Sequence, residues 1–348
     1  MTVKKIAICA AQIPFNYGGA EILVEELNKQ LRLRGFESEI INIPFKWYPK
    51  QQLVNNALVW RMIDLTESNG EKIDRVICTK YPTYAVKHPN KIVWLFHQHR
   101  PIYDLFGTKY SDFRDTAEDF AYTQQIKNID NNTLIEAKKI FTISQNVTNR
   151  LKKFNNINSE VLYPPTKYEG KYYNENYGEY IFVAGRLDPL KRLDLMIQAM
   201  KYVKSDAKFI IAGKGKYETQ LRELVNKFKV QNKVIFKGFV SDEELLKLYA
   251  NCFAVYFAPK DEDYGFITIE AFKSKKPVIT TNDSGGVLEF VENEKNGFIV
   301  NNNPREIARR VDYLYDNRDI CKKFGQKGYE KVKEILWDKT IEKLTKEY

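Results

Sequence analysis

No stretch of this 348-residue chain approaches the roughly 18 to 20 consecutive apolar residues that a membrane-crossing helix requires. Cysteine is sparse: Cys9, Cys78, Cys252 and Cys321 share no paired spacing, which excludes a disulfide framework and a cysteine-based zinc site and leaves four reduced core thiols. Histidine is scarcer still. His88, His97 and His99 offer too few ligands for a metal site, so no structural metal is expected. A basic tail is also missing: the net charge of +10 divides evenly, +5 up to residue 165 and +5 beyond. That evenness argues against a nucleic-acid partner and suits anionic substrates or an anionic membrane surface. There is no internal repeat and no low-complexity tract. Lys4 and Lys5 precede a short apolar run, Ile6 to Ala11, which is too brief for a secretory leader and reads better as a buried first strand. The expectation is a cytoplasmic protein.

What is present is a long alternation of strand-like and helix-like segments. At this length, with 43% hydrophobic residues, the chain has material for two cores. In the first half a strand is followed by an amphipathic helix, Glu21 to Arg34, with Leu23, Leu27 and Leu31 on one face and Gly35 at its end. Strand 37–45, helix 51–68, strands 74–79 and 91–97, helix 114–138, strand 140–144 and a helix from Gln145 capped by Ser144 complete a layered unit. A tyrosine-rich polar segment, Tyr168 to Tyr180, follows Pro164-Pro165 and reads as a linker. Strands 180–184, 208–212, 233–237, 254–258 and 277–281 then alternate with helices 191–204, 217–229 and 287–291 and one opened by Ser241 and Glu244 as a capping box. Strands and helices in this order predict α/β, mostly parallel, doubly wound sheets in two domains, with a terminal helix over 329–347.

The chemistry concentrates at strand ends of the second half. Glu262 and Glu270 flank Asp263-Tyr264-Gly265-Phe266, where Pro259 has stopped a buried strand and a helix begins. Taken alone, Glu262 reads equally as a solvated loop charge and Glu270 as a helix-surface residue. Their spacing places them roughly 12 Å apart by helical rise, too far to share a proton. It suits two contacts on one extended ligand, with the amides of Tyr264, Gly265 and Phe266 favouring an anionic middle. Val183-Ala184-Gly185-Arg186 opens a second loop, in which Arg186 and Lys191 could grip a diphosphate, arginine as a planar fork and lysine as a mobile point charge. Gly285-Gly286 would bring further backbone N–H groups to the same edge. Gly213, in Gly213-Lys214-Gly215, ends another strand there; a tight strand-to-helix turn explains it as well as ligand contact does.

These segments carry a resemblance. The carboxyl half is similar to that of the family 4 glycosyltransferases, retaining enzymes of GT-B architecture that use nucleotide-sugar donors. In the amino half, Asn16-Tyr17-Gly18-Gly19-Ala20-Glu21 resembles the family's glycine-rich loop, Trp94-Leu95-Phe96-His97 its strand ending in histidine, and Ser144 to Pro165 the exit from its first domain. The resemblance implies two Rossmann-like domains facing a central cleft: an acceptor-side domain over 1–165, a donor-binding domain over 166–331, and a helix over about 332–348 crossing back. It further implies that Glu262 contacts the transferred sugar and Glu270 the ribose, that Gly18 and Gly19 approach the phosphate and sugar, and that Gly213 lies near the nucleotide. His97 becomes the amino-half candidate at the sugar, with His99 and Arg100 behind it and the aromatic loop from Arg100 to Asp112 as an acceptor wall. The substrates implied are a nucleotide-sugar and a saccharide or lipid-linked acceptor, without an essential metal and with attachment at the inner membrane face. The family often has Gly-Phe-Gly where this chain has Asp263-Tyr264-Gly265, a variant similar to that of mannose-transferring members. Two alternatives stay open: Asp261-Glu262-Asp263 as the Asp-x-Asp of a metal-dependent GT-A transferase, and a nucleotide-sugar epimerase, or silent binding partner, of GT-B layout.

Overall fold

The structure, a computed structural model, describes residues 3–348; Met1 and Thr2, at the head of the leader-like stretch and of the expected first domain, lie outside the described residues. The chain divides into two units, 1–167 with 335–348, and 168–334.

The first unit is built on six parallel strands: β1 (Lys5–Gln12), β2 (Glu37–Pro44), β3 (Arg75–Cys78), β4 (Lys91–Leu95), β5 (Lys139–Thr142) and β6 (Glu160–Val161). Their order in the sheet is β2-β1-β3-β4-β5-β6. β1 and β3 are buried on both faces, which is why they appear as apolar runs rather than alternations. Helix α1 (Gly19–Leu33) packs through Leu23, Leu27 and Leu31, and Gly35 leaves it at φ +85°. α2 (Gln51–Met62), α3 (Ala117–Leu134) and α4 (Gln145–Asn155) complete the layers. Ser144 caps α4 by accepting from the Val147 amide at 3.1 Å.

The second unit has β7 (Tyr180–Ala184), β8 (Lys208–Ala212), β9 (Val234–Gly238), β10 (Ala254–Tyr256), β11 (Val278–Thr281) and β12 (Gly297–Val300), all parallel, in the order β9-β8-β7-β10-β11-β12. Helices α5 (Leu193–Met200), α6 (Glu218–Phe228), α7 (Asp242–Asn251), α8 (Phe266–Lys273), α9 (Pro304–Asp316) and α10 (Arg318–Val332) flank it. Ser241 caps α7 by accepting from the Glu244 amide.

Four expectations need correction. The helix from Gln51 ends at Met62, and Glu67–Ser68 pairs with Glu71–Lys72 in a small hairpin turned by Asn69-Gly70, both at positive φ. Residues 286–289 form one 3-10 turn rather than a helix over 287–291. The terminal helix is broken: Leu336 is extended, and α11 (Trp337–Thr345) is a separate element of the first unit. Finally, 168–180 is no loose linker. Tyr168 is buried, the Tyr177 hydroxyl donates to the Lys275 carbonyl, and Arg318 donates to the carbonyls of Tyr177 and Gly178.

Within the first unit α11 is fastened by the fully buried Trp337, whose indole N–H donates to the Thr166 carbonyl at 3.3 Å, and by Arg75, which donates to the Leu344 carbonyl. Trp337→Ala is expected to destabilise this unit by about 3 to 5 kcal/mol, read as a lower urea midpoint; an unchanged midpoint would mean α11 is not part of its core.

Candidate active site

In the second sheet the chain steps from β7 to one side and from β10 to the other, so the loops after these two strands diverge and leave a crevice at the carboxyl edge. Four loops meet there, closely enough that backbone touches backbone. A Cβ on Gly213 would lie 1.9 Å from the Gly185 carbonyl oxygen, and one on Gly215 2.1 Å from that of Leu187. Cβ atoms on Gly285 and Gly286 would fall 2.5 Å from the carbonyl oxygens of Glu262 and Asp263. Hydrogen bonds fix this arrangement: the Leu187 amide donates to Lys214, Lys260 to Leu190, Asp261 to Asp283, and Gly286 to Glu262. The glycines expected to open the edge to a ligand are therefore first of all the means by which its loops pack.

Onto this frame the sequence places its charges. Lys191 ends a 3-10 turn, Pro189–Lys191, that Asp188 caps through the Leu190 amide. Its ammonium donates to both carboxylate oxygens of Glu262, at 2.8 and 2.7 Å, so two side chains 71 residues apart form one pair at the crevice. Both are about one-fifth exposed, and Lys191 also lies 5.5 Å from the Phe257 ring centroid. Arg186 is exposed on the same loop and, with Gly185, Lys191, Phe257 and Ile267, lines a small recess beside the pair.

Arg192 was not singled out in the sequence. All three of its guanidinium nitrogens are engaged, with the carbonyls of Ala258 and Pro259, the Thr281 hydroxyl, Asn302 and the Asp283 carboxylate. Burial alone would raise the Asp283 carboxyl, but hydrogen bonds from Arg192, Lys260 and Asn302 outweigh it and hold the group well below the ordinary carboxylate range. Arg192 sits at φ 50° and ψ 42°, a left-handed conformation that costs a non-glycine residue on the order of 1 kcal/mol.

Gly265, at φ +95°, is the N-cap of α8, and Glu270 is its fifth residue, little more than one turn in. The Tyr264 ring is buried edge-to-face against Phe266 and Phe290, so this residue offers the crevice backbone only. Glu270 is held inward: the Tyr249 hydroxyl donates to Oε2 at 2.6 Å. Burial pushes its pKa up, and the hydroxyls of Tyr249 and Tyr172, which favour the ionised form, oppose that rise. Tyr172 escaped the sequence reading because it lies in the segment taken for a linker, and Tyr249 because it lies in α7, 21 residues from Glu270.

In the first unit the sheet order β2-β1-β3 puts a second crevice after β1 and β3. The Gly18 amide donates to Glu21, which also accepts from Lys80 at 3.0 Å. Gly18 is extended at φ −157°, which any residue adopts, so only the openness of a missing side chain distinguishes it. His97 follows β4 with Nδ1 2.7 Å from the Gln98 carbonyl oxygen. His99 does not share that setting: its ring packs against Tyr81 and Phe113, and burial, with a smaller contribution from His97, pushes its pKa down to about 3. Arg100 is bound to Asp104 through two nitrogens, which removes it as a ready anion site. Tyr103 is likewise core, its hydroxyl donating to Asp130, whose carboxyl burial pushes up to about 7 against the opposing bonds of Tyr103 and Tyr84. Among the described residues no group of three or more His, Cys, Asp or Glu side chains is placed to hold a metal ion.

Comparison with known proteins agrees with this geometry. The glycosyl transferases group 1 family model matches residues 166–331. An uncharacterized glycosyltransferase of Methanocaldococcus jannaschii is 28% identical over 220 residues, 60% of this chain; the chain spans only 59% of that relative's length. Among solved structures, sucrose-phosphate synthase from Thermosynechococcus elongatus aligns with a TM-score of 0.78 at 14% identity, covering 98% of this chain and 97% of the other. Anabaena HepE in complex with UDP and glucose aligns with a TM-score of 0.70 at 15% identity over 97% and 98%. These likenesses show a GT-B fold, and residues 166–331 are similar to the glycosyl transferases group 1 family.

Two tests follow from the packing. Gly213→Ala adds a methyl group where the Gly185 carbonyl already sits, at φ +126°, and is expected to destabilise the second unit by on the order of 2 kcal/mol, read from chemical denaturation. For Asp283 the folded pKa lies below its ordinary value of 3.8, so its contribution is present above that pH and is lost as pH falls further. Asp283→Asn should melt lower than wild type at pH 7, with the gap closing below about pH 4; a gap independent of pH would contradict the ion-pair account.

Proposed function

We propose that the protein is a retaining glycosyltransferase that moves a hexose from a nucleoside diphosphate sugar, GDP-mannose or a UDP-sugar, to a saccharide or lipid-linked acceptor. The observation that carries this reading is the Lys191–Glu262 pair held at the switch point of a sheet whose loops pack through glycine. In glycosyl transfer the anomeric carbon gains oxocarbenium character while the diphosphate leaves with growing negative charge, so fixed cations at that diphosphate lower the barrier. Arg186 and Lys191 are assigned this work. When the donor enters, its diphosphate competes with Glu262 for the Lys191 ammonium, and the freed carboxylate accepts from the sugar hydroxyls. Glu270 accepts from the ribose with the oxygen that Tyr249 does not occupy. The amides at Gly265 and Phe266 and the Gly213 loop are assigned to the nucleotide, and His97, Gly18 and Gly19 to the sugar. Retention proceeds by same-face attack assisted by the leaving phosphate, without a covalent role for Glu262.

The UDP in the HepE complex supports a nucleotide donor, and the Asp263-Tyr264-Gly265 variant supports a guanosine one. No helix among the described residues is long and apolar enough to cross a membrane. With a positive charge spread over both halves, we place the enzyme in the cytoplasm, peripheral at the inner membrane face, in the synthesis of surface polysaccharide or glycoconjugate.

Thermal-shift screening against UDP-, GDP- and ADP-sugars identifies the donor as the one that raises the melting temperature. Arg186→Ala and Lys191→Ala are each expected to lower its turnover about a hundredfold or more, and excess chelator to leave it unchanged. Retained turnover in the Arg186→Ala/Lys191→Ala double variant would defeat the assignment, and chelator-sensitive turnover would favour a metal-dependent mechanism.

A further inference from the structure

The turn that delivers Lys191 to the site is completed by a residue in an unexpected conformation. Arg192 adopts the left-handed region that glycine enters freely and a side chain enters against steric resistance. A residue retained there must do something with its side chain, and the contacts show what. Nε donates to the Ala258 carbonyl at 2.8 Å. Nη2 donates to the Pro259 carbonyl at 2.7 Å, the Thr281 hydroxyl at 2.6 Å and Asp283 Oδ1 at 2.7 Å. Nη1 donates to Asp283 Oδ2 at 3.0 Å and to Asn302 Oδ1 at 2.8 Å. The Arg192 carbonyl in turn accepts from the buried Tyr256 hydroxyl at 3.1 Å.

Every partner begins or steadies a segment of the site. Ala258 and Pro259 lead into the loop that carries Glu262. Thr281 and Asp283 open the loop in which the Ser284 carbonyl accepts from the Glu262 amide and the Gly286 amide donates back to the Glu262 carbonyl. Lys191 is the neighbouring residue. One planar group therefore ties together the segment bearing the ammonium, the segment bearing the carboxylate, and the segment that braces the carboxylate's backbone. At 13% exposure the side chain is spent on this bracing rather than turned toward a ligand.

We propose that Arg192 is a positioning residue for glycosyl transfer, acting through Lys191 and Glu262 by fixing the separation of their two loops. The proposal rests on the donor-site reading above. A lysine cannot reproduce the effect, because the bracing uses three nitrogens in a fixed plane. Glycine would remove the brace while relieving the backbone, so comparison with Arg192→Lys separates the two contributions.

The test uses the full-length protein and the donor identified by thermal shift, with Arg192→Lys, Arg192→Gly and Lys191→Ala made singly and Arg192→Lys/Lys191→Ala combined. Small displacements at a reacting centre cost roughly ten- to a hundredfold in rate. Arg192→Lys and Arg192→Gly are expected to lower kcat at least tenfold in protein that still melts cooperatively, with the Kd for the nucleoside diphosphate within about threefold of wild type. In the Lys191→Ala background the further loss from Arg192→Lys should be under threefold, since residues acting through one another are not additive. A merely structural residue would lower the melting temperature and leave kcat per folded molecule intact; that result, or full additivity with Lys191→Ala, overturns the proposal. A wild-type protein that neither binds nor turns over any nucleotide-sugar overturns the donor reading instead, and this inference with it.

Discussion

The closeness of the loops at the carboxyl edge of the second sheet governs most of what this protein can do. Four chain segments converge on a space where a single methyl group has no room, so their mutual positions are set by carbonyl-to-glycine contact and not by adjustable side chains. Interiors packed to this density respond to displacement as solids do. The Lys191–Glu262 pair inherits that stiffness: an ammonium and a carboxylate drawn from distant parts of the chain meet with both oxygens engaged because the backbones beneath them cannot drift apart. Partial burial strengthens their attraction, while residual exposure leaves it open to competition from a more highly charged anion.

Most of the strands, though not Glu160–Val161 or Gly297–Val300, were legible because they are buried on both faces and carry a short apolar run between turn residues; Glu37–Pro44 showed instead as an alternation. The charged pair was legible as two separate motifs, though not as a pair. Arg192 was hidden by its neighbour, since an arginine after a lysine reads as one more surface cation and its partners lie 66 to 110 residues away. Tertiary demands explain the other misses. Residues 333–336 are good helix formers, yet the chain is extended at Leu336, just before Trp337 makes its bond to Thr166. Asn69-Gly70 carries the dipeptide signal of a hairpin, which the expectation of one helix over 51–68 did not use.

Both units also enclose charge, and each case is resolved by dense local bonding. Lys91, fully buried at the start of β4, donates to the carbonyls of Tyr84, Val86 and Thr133 and to Glu136. Lys276 donates to the Asn176 carbonyl and to Asn174 and lies over the Tyr177 ring, while burial draws its pKa down to about 8. Such groups are costly when stranded and unobtrusive when bonded throughout. That is why they left no trace in the composition.

The stretch from Tyr168 to Tyr180 sets a rule for anyone recombining this chain with its relatives. It contributes Tyr172 beside Glu270, a hydroxyl to the Lys275 carbonyl, and two carbonyls to Arg318. A crossover placed after it, at the first strand of the second sheet, would pair one parent's glutamate with another parent's tyrosine. Chimeras joined ahead of Tyr168 transfer the module with its own wrapping intact.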